Sequence, residues 1–356
     1  MQDDWGDSAP TWPGQPHRPI PYVAPVYADP VYSAPPVAPS LTAPRQRLWP
    51  AVLTLLLLGG LIPETIATSN TPLAAYLVDP KLLVFLCAFY GCAALLLRDA
   101  WRVRNLGWAS VIVLGVSFGA MNEGVIAGTW WKIPAKGYTL TGGVNWGWAT
   151  ALTMFHVVYS MVISILVVEL LFPRVAGQPW LRRRGTIIAA TVLGLTQLLG
   201  LFARDFQPWR TLALAFALAL IPIAFLLPRA RPRPFDPRPA LGLWRLRVTG
   251  FFAALFYFIL IYFVPGVWSP PTLIIVGLLM GYFALCLWRL RVWTGRAGWG
   301  RRQELALITG ALTLNLIVVS LQPGGEIFMT VPFFALLIWL AFRYRRLEAH
   351  EPVPVF

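Results

Sequence analysis

The sequence predicts an all-α integral membrane bundle of about ten transmembrane helices, preceded by a disordered tail. Three observations predict it: composition, the length of the apolar runs, and the alternation of charge between them. The 356-residue chain is 57% hydrophobic and 12% charged, whereas a soluble domain carries roughly 25% charged residues. Too little polar surface is left to cover a globule in water. The apolar runs approach the ~20 residues that carry a helix across hydrocarbon. Helix is required over isolated strand because a backbone in lipid finds no water to bond.

Residues 1–47 form a region of their own. Eleven prolines lie between Pro10 and Pro44, with Tyr22, Tyr27 and Tyr32 spaced among them. Such a segment buries too little apolar surface to fold, and an extended, disordered cytoplasmic tail is expected. It opens acidic (Asp3, Asp4, Asp7) without an apolar stretch, unlike a signal peptide. It reads as a solvated leader or as a docking tail for a cytoplasmic partner that binds proline-rich peptides.

The transmembrane domain is expected over residues 48–346. The runs fall near 48–66, 82–98, 107–127, 148–171, 185–203, 209–228, 248–267, 271–288, 303–321 and 327–344, and residues 347–356 make a short cytoplasmic C-terminal tail. The first run is the least clean. Its apolar stretch ends at Ile62, so Pro63-Glu64-Thr65 belongs near an interface or in a protein-lined cavity. Many of the seventeen Trp residues sit near run ends, as in the aromatic belt of a membrane–water interface.

Charge tests the count. Beginning at the N-terminus, alternate connections carry 23 basic residues and the others five, Lys81, Lys132, Lys136, Arg204 and Arg210. The positive-inside rule then places both termini in the cytoplasm. A missed span would scramble this regularity downstream. The net charge of +14 is therefore accounted for by loops, and nucleic-acid binding is not expected. Cys87, Cys92 and Cys286 lie inside apolar runs and read as small buried hydrophobes, with no metal framework and no cofactor expected. Ten spans could divide into two inverted halves of five, as in many transporters.

Ionisable groups inside a bilayer are costly and mark function by default. Glu64 lies near the outer end of the first span, followed by Thr65, Thr68, Ser69, Asn70 and Thr71; Asn122 and Glu123 lie near the outer end of the third. His156 lies within the fourth span, with Asn145 just before it. At 1.5 Å per residue, Glu64 and Glu123 stand roughly 22 Å above the inner surface and His156 ~18 Å, one common layer. Thr153, His156, Ser160 and Ser164 share one side of the fourth helix. The candidate substrate-binding residues are thus Glu64, Asn122, Glu123, Asn145, His156 and Ser160, with Glu123 and His156 the candidates for catalysis. They would line an outward-opening pocket in which Glu123 or Glu64 pairs with His156, a carboxylate–imidazole pair able to hold a proton, bind a cation or activate water. The competing reading is helix-to-helix hydrogen bonding with carboxylates reaching the interface. Glu169 is expected to be an end-of-helix carboxylate near Arg174, and Arg204, Asp205 and Glu326 to be solvated loop charges. The loop 128–147, rich in Gly and aromatics, suits a segment folded over a cavity mouth.

Ile62-Pro63-Glu64, Ser69-Asn70-Thr71-Pro72, Asn122-Glu123-Gly124, Asn145-Trp146-Gly147-Trp148 and Phe155-His156 resemble a family of uncharacterised bacterial multi-pass membrane proteins, over about residues 48–180. In that family the middle motif is often Glu-Glu-Gly; here its first position is Asn122. The resemblance implies the polytopic fold and no function. A fainter similarity is to CAAX-protease-like intramembrane enzymes, which use Glu-Glu-x-x-x-Arg and further His-bearing helices. This chain lacks that Arg, and His156 is its sole intramembrane His.

The leading expectation is a transporter-like permease for a small solute, proton-coupled through Glu123 and His156. The alternatives are a membrane-embedded enzyme using the same pair, and a non-catalytic scaffold whose tail recruits a partner.

Overall fold

The computed structural model describes residues 47–67, 71–202, 207–230, 235–321 and 327–350. The proline-rich tail, apart from its last residue, lies outside the described residues, as do the C-terminal residues 351–356 and Thr68, Ser69, Asn70, Arg204, Asp205 and Glu326.

Among the described residues are ten helices long and apolar enough to cross a membrane. They are α1 (Trp49–Ala67), α2 (Pro80–Val103), α3 (Trp108–Ile126), α4 (Trp146–Leu171), α5 (Arg183–Phe202), α6 (Pro208–Leu226), α7 (Leu243–Trp268), α8 (Thr272–Trp293), α9 (Arg301–Leu321) and α10 (Ile327–Leu347). Each matches an apolar run of the sequence. The chain is an integral multi-pass membrane protein, and its helices imply a lipid bilayer around them.

The largest departure in length is α2, which begins at Pro80 and runs on to Val103. Its last turns stay helical past the apolar run because Arg98, Asp99 and Arg102 find partners there. Arg98 is wholly buried. Its guanidinium donates to Asp99 Oδ1 (2.9 Å), Glu169 Oε1 (3.2 Å) and the carbonyls of Gln178 (2.5 Å) and Ala176, and lies 3.9 Å over the Trp180 ring. Asp99 in turn accepts from the backbone N–H groups of Trp180 and Leu181. Arg102 also bonds both carboxylate oxygens of Glu169. Glu169, near the end of α4 as expected, is therefore held by Arg98 and Arg102 of α2. The knot fixes the 172–182 connection against α2, and α10 seals its flank: Arg343 donates to Leu171 O and the Tyr344 hydroxyl to Leu170 O. Cations at the open carbonyls of a helix C-terminus are favourably placed.

Helices in lipid gain little from hydrophobicity alone and associate through close packing at small residues. α4 is the centre, with 78% of its apolar window buried, and α3 follows with 67%. Gly115 and Gly119 of α3 sit against Val157 and Thr153 of α4. Gly59 of α1 and Gly91 of α2 touch backbone to backbone, and Gly250 of α7 and Gly310 of α9 do the same farther out. By contrast α8 buries only 11% of its window and α5 and α6 22% each, so they form the lipid-facing rim. On the arginine-rich face, two short parallel strands, β1 (Asp236–Pro239) and β2 (Arg296–Ala297), tie the α6–α7 and α8–α9 connections together. Side-chain hydrogen bonds from Arg238 hold the Asp236 carboxyl below its usual range.

Five of the helices are interrupted by π-helical turns: Ile62–Ala67 in α1, Cys87–Gly91 in α2, Ala120–Ile126 in α3, His156–Ile163 in α4 and Ile259–Phe263 in α7. A π turn accommodates an extra residue in the ladder and often marks a functional position. In α1 it also absorbs Pro63, which has no N–H to give to an α ladder. The Pro63-Glu64-Thr65 segment is protein-lined: Ile62, Pro63, Thr65, Ile66 and Ala67 are buried.

Candidate functional site

The π turns of α1 to α4 each carry a member of one polar cluster. α1 brings Glu64, α2 brings Tyr90, α3 brings Asn122 and Glu123, and α4 brings His156 and Ser160. The five-residue hydrogen-bond span of a π turn widens the helix locally, and it rotates these side chains out of the register a continuous α-helix would give. In α4 the same turn lets Ser164 Oγ donate to Tyr159 O, five residues back (2.9 Å).

The cluster is a continuous hydrogen-bonded chain. The Tyr90 hydroxyl donates to Glu64 Oε1, and Asn122 Nδ2 donates to the Tyr90 hydroxyl (2.5 Å). His156 Nε2 lies 2.7 Å from Glu123 Oε1 and 2.9 Å from Asn122 Nδ2. His156 Nδ1 lies 2.8 Å from Ser160 Oγ. The second oxygen of Glu123 accepts from the Thr129 hydroxyl, on the loop that follows α3. Of the six expected residues, five are thus brought together: Glu64, Asn122, Glu123, His156 and Ser160. Glu123 is the direct partner of His156, and Glu64 reaches the pair through Tyr90 and Asn122.

Asn145 is placed elsewhere. Its Oδ1 accepts from Trp148 N–H (3.1 Å) at the start of α4, and its Nδ2 donates to Lys132 O (3.0 Å). It pins the loop 128–147 rather than joining the cluster. That loop does fold back over α3 and α4. Trp131 Nε1 donates to Gly124 O (3.0 Å), Asn145 N to Trp130 O (2.8 Å), and the Tyr138 hydroxyl to Ile261 O in the π turn of α7 (2.7 Å). Burial raises the Tyr138 hydroxyl above the ordinary phenol range, keeping it a donor.

Tyr90 was not among the sequence candidates. Its signal was present: a tyrosine midway along an apolar run has a hydroxyl that must find a partner when buried.

The expected open pocket is a closed core. His156 is 2% exposed and Glu123 6%, and Tyr90, Asn122 and Ser160 are also buried. Aromatic rings fill the space around the imidazole, with Phe118 and Phe155 edge-on and Tyr90 tilted at 6.0 Å between ring centres. Charged groups at this depth cost roughly 2.5–3.5 kcal/mol each on insertion scales, so mutual pairing is what makes the cluster tolerable. Among the described residues, no three His, Cys, Asp or Glu side chains are grouped to hold a metal ion.

The imidazole has an internal choice. Nε2 carries either a proton or a lone pair, so it donates to Glu123 or accepts from Asn122 but cannot do both. In the first state Nδ1 accepts from Ser160; in the second Nδ1–H donates to it. A proton moved at one ring nitrogen reorganises both neighbours, which is the elementary step of a relay.

The fold and cluster define a polytopic membrane protein with a buried carboxylate–histidine cluster spread over four helices. The chain belongs to an uncharacterized membrane protein family, whose model matches residues 53–322. The match takes in the whole cluster. A comparison with curated proteins and one with solved structures found no match.

Proposed function

We propose that this protein is a transporter-like permease of a bacterial plasma membrane, in which Glu123 and His156 exchange a proton coupled to movement of a small solute. Both termini are cytoplasmic in this reading, which the 23-to-five division of basic residues between alternate connections supports. The observation that carries the function is the chain Glu64–Tyr90–Asn122–His156–Glu123–Thr129. It joins four helices at membrane depth and ends on the loop of the opposite, arginine-poor face.

A structural hydrogen-bond set would need no titratable pair in its middle. Here a carboxylate and an imidazole share one close contact, and a proton on either changes the bonds of both. Because the residues sit on π turns of helices that pack through glycine, a change in protonation can be absorbed as a small shift in helix register. The closed core corresponds to an occluded state, with the loop 128–147 as its outer cover. The proline-rich tail is a docking segment for a cytoplasmic partner or a solvated leader.

Purified protein in liposomes loaded with a pH-sensitive dye tests the reading. Solutes supplied outside should drive proton movement, and Glu123→Gln or His156→Ala should abolish it. Proton movement that persisted in both variants would end the proposal.

A second reading has one specific observation in its favour: Ser160 Oγ, His156 and Glu123 stand in line at 2.8 and 2.7 Å, the residue types of a serine–histidine–carboxylate hydrolase, with the serine on Nδ1 and the carboxylate on Nε2, the reverse of the usual order. Against it, Ser160 is fully enclosed. A membrane-embedded enzyme would lose turnover in Ser160→Ala; a permease would not.

A further inference from the structure

Gln197 lies on α5, and its amide is the only buried side-chain amide among the described residues with neither atom hydrogen-bonded. It is 3% exposed. Residues Ala189, Thr196, Gln197 and Leu201 form the buried face of α5, and this face packs against the π turns of α2 and α3 that carry Tyr90, Asn122 and Glu123. Leu193, one turn before, packs with the core that contains Tyr90 and Met121; Leu201, one turn after, packs with Val125 and Ala213.

Depth agrees with this placement. Gln197 is 14 residues from Arg183 at the arginine-rich end of α5, so it stands ~21 Å up the membrane, in the layer of Glu123.

Native interiors pair their buried polar groups, and each exception calls for something to satisfy it. At hydrocarbon depth bulk water is not at hand to do so. Gln197 offers an acceptor and two donors in one plane. Its complement is a planar edge bearing a donor beside an acceptor. A formal charge is excluded from that complement, since no cation or carboxylate is bonded to Gln197 to offset it.

We infer that Gln197 forms a binding subsite for a small uncharged solute carrying a carboxamide or an undissociated carboxylic acid. The subsite lies at the α3–α5 seam beside the proton relay. It deepens the permease reading by naming the solute class, and rests on that reading for its physiological meaning. The binding itself is measured without transport.

The test is a thermal-unfolding titration of the full-length protein in detergent with acetamide, and separately with acetic acid at pH 4 and at pH 7. A saturable rise in Tm with acetamide alone assigns the amide class. A rise with acetic acid at pH 4 that disappears at pH 7 assigns the undissociated acid. In either case Gln197→Leu must remove the shift, and Gln197→Met, which keeps a flexible side chain of similar length, serves if the Leu variant does not fold. Absence of a saturable shift with both probes, or an equal shift in the Gln197 variants, overturns the inference. Failure of the permease reading shows separately, as proton movement that survives loss of Glu123.

Discussion

His156 Nε2 of α4 lies 2.7 Å from Glu123 Oε1 of α3, with both side chains closed off from solvent. The two residues are 33 positions apart and sit on π turns of adjacent helices. This contact determines what substitutions in the cluster should do.

Glu123→Gln keeps the size of the side chain and most of its bonding while removing the proton-binding carboxylate. The folded state should lose about 1 kcal/mol, the ordinary worth of one hydrogen bond. Solute-driven proton movement in liposomes should fall by at least an order of magnitude, and its dependence on pH should flatten. Unchanged flux with unchanged pH dependence would remove Glu123 from the relay.

Tyr90→Phe deletes one oxygen and cuts the cluster between Asn122 and Glu64. Asn122 Nδ2 and a Glu64 oxygen each lose a partner, so stability should drop by roughly 1–3 kcal/mol. Proton movement should slow without vanishing, because the Glu123–His156 pair is left intact. Flux in the Phe variant as low as in Glu123→Gln would show that the proton path runs through Tyr90.

Ser160→Ala separates the two functional readings. Ser160 Oγ touches only one end of the imidazole, and Ala fills its enclosed position without strain. Stability should change by about 1 kcal/mol, and proton-coupled flux should stay near that of the parent protein. Loss of hydrolytic turnover found in the parent would favour the enzyme reading, and loss of flux would instead bring Ser160 into the transport path.

Much of this arrangement is legible in the sequence, and the reasons are physical. Run length and arginine alternation locate the ten spans because lipid imposes one length and one sign rule on every crossing. Counting 1.5 Å per residue puts Glu64, Glu123 and His156 in one layer because the stretches counted are almost wholly α-helical, the π turns beginning only at Ile62, Ala120 and His156. What the sequence conceals is lateral. The π turns leave the apolar composition unchanged, so no periodicity announces them. Asn145 and Asn122 are the same residue type beside the same spans, yet one caps a helix and the other bridges Tyr90 and His156. Glu169 has Arg174 five residues away in sequence, but its partners are Arg98 and Arg102, about 70 residues before it.

The Arg98 knot should behave as structure and not as site. Arg98→Ala takes the buried guanidinium away from Asp99 and Glu169, leaving Glu169 to Arg102 alone, and leaves carbonyls of the 172–182 connection without their Arg98 donor. Removing one partner of a buried ion pair costs about 3–5 kcal/mol. Arg98→Lys should restore little, because an ammonium lacks the planar fork and cannot stack on Trp180. Yield and Tm of both variants measure this. An Arg98→Ala protein with near-normal Tm would show that the knot is dispensable.

Glycine positions give a paired prediction about helix contacts. A Cβ on Gly310 would stand 2.0 Å from Arg247 O, and one on Gly250 2.3 Å from Leu307 O, so α7 and α9 meet backbone to backbone. Gly310→Ala must push the two helices apart, at a cost of about 1–3 kcal/mol. On α8 a Cβ at Gly277 or Gly281 meets nothing within 4 Å, and Ala there gains helix propensity, up to about 1 kcal/mol. Tm should therefore fall in Gly310→Ala and hold or rise in Gly277→Ala and Gly281→Ala. If the Gly310 and Gly277 variants melted alike, packing between α7 and α9 would not be as close as the structure has it.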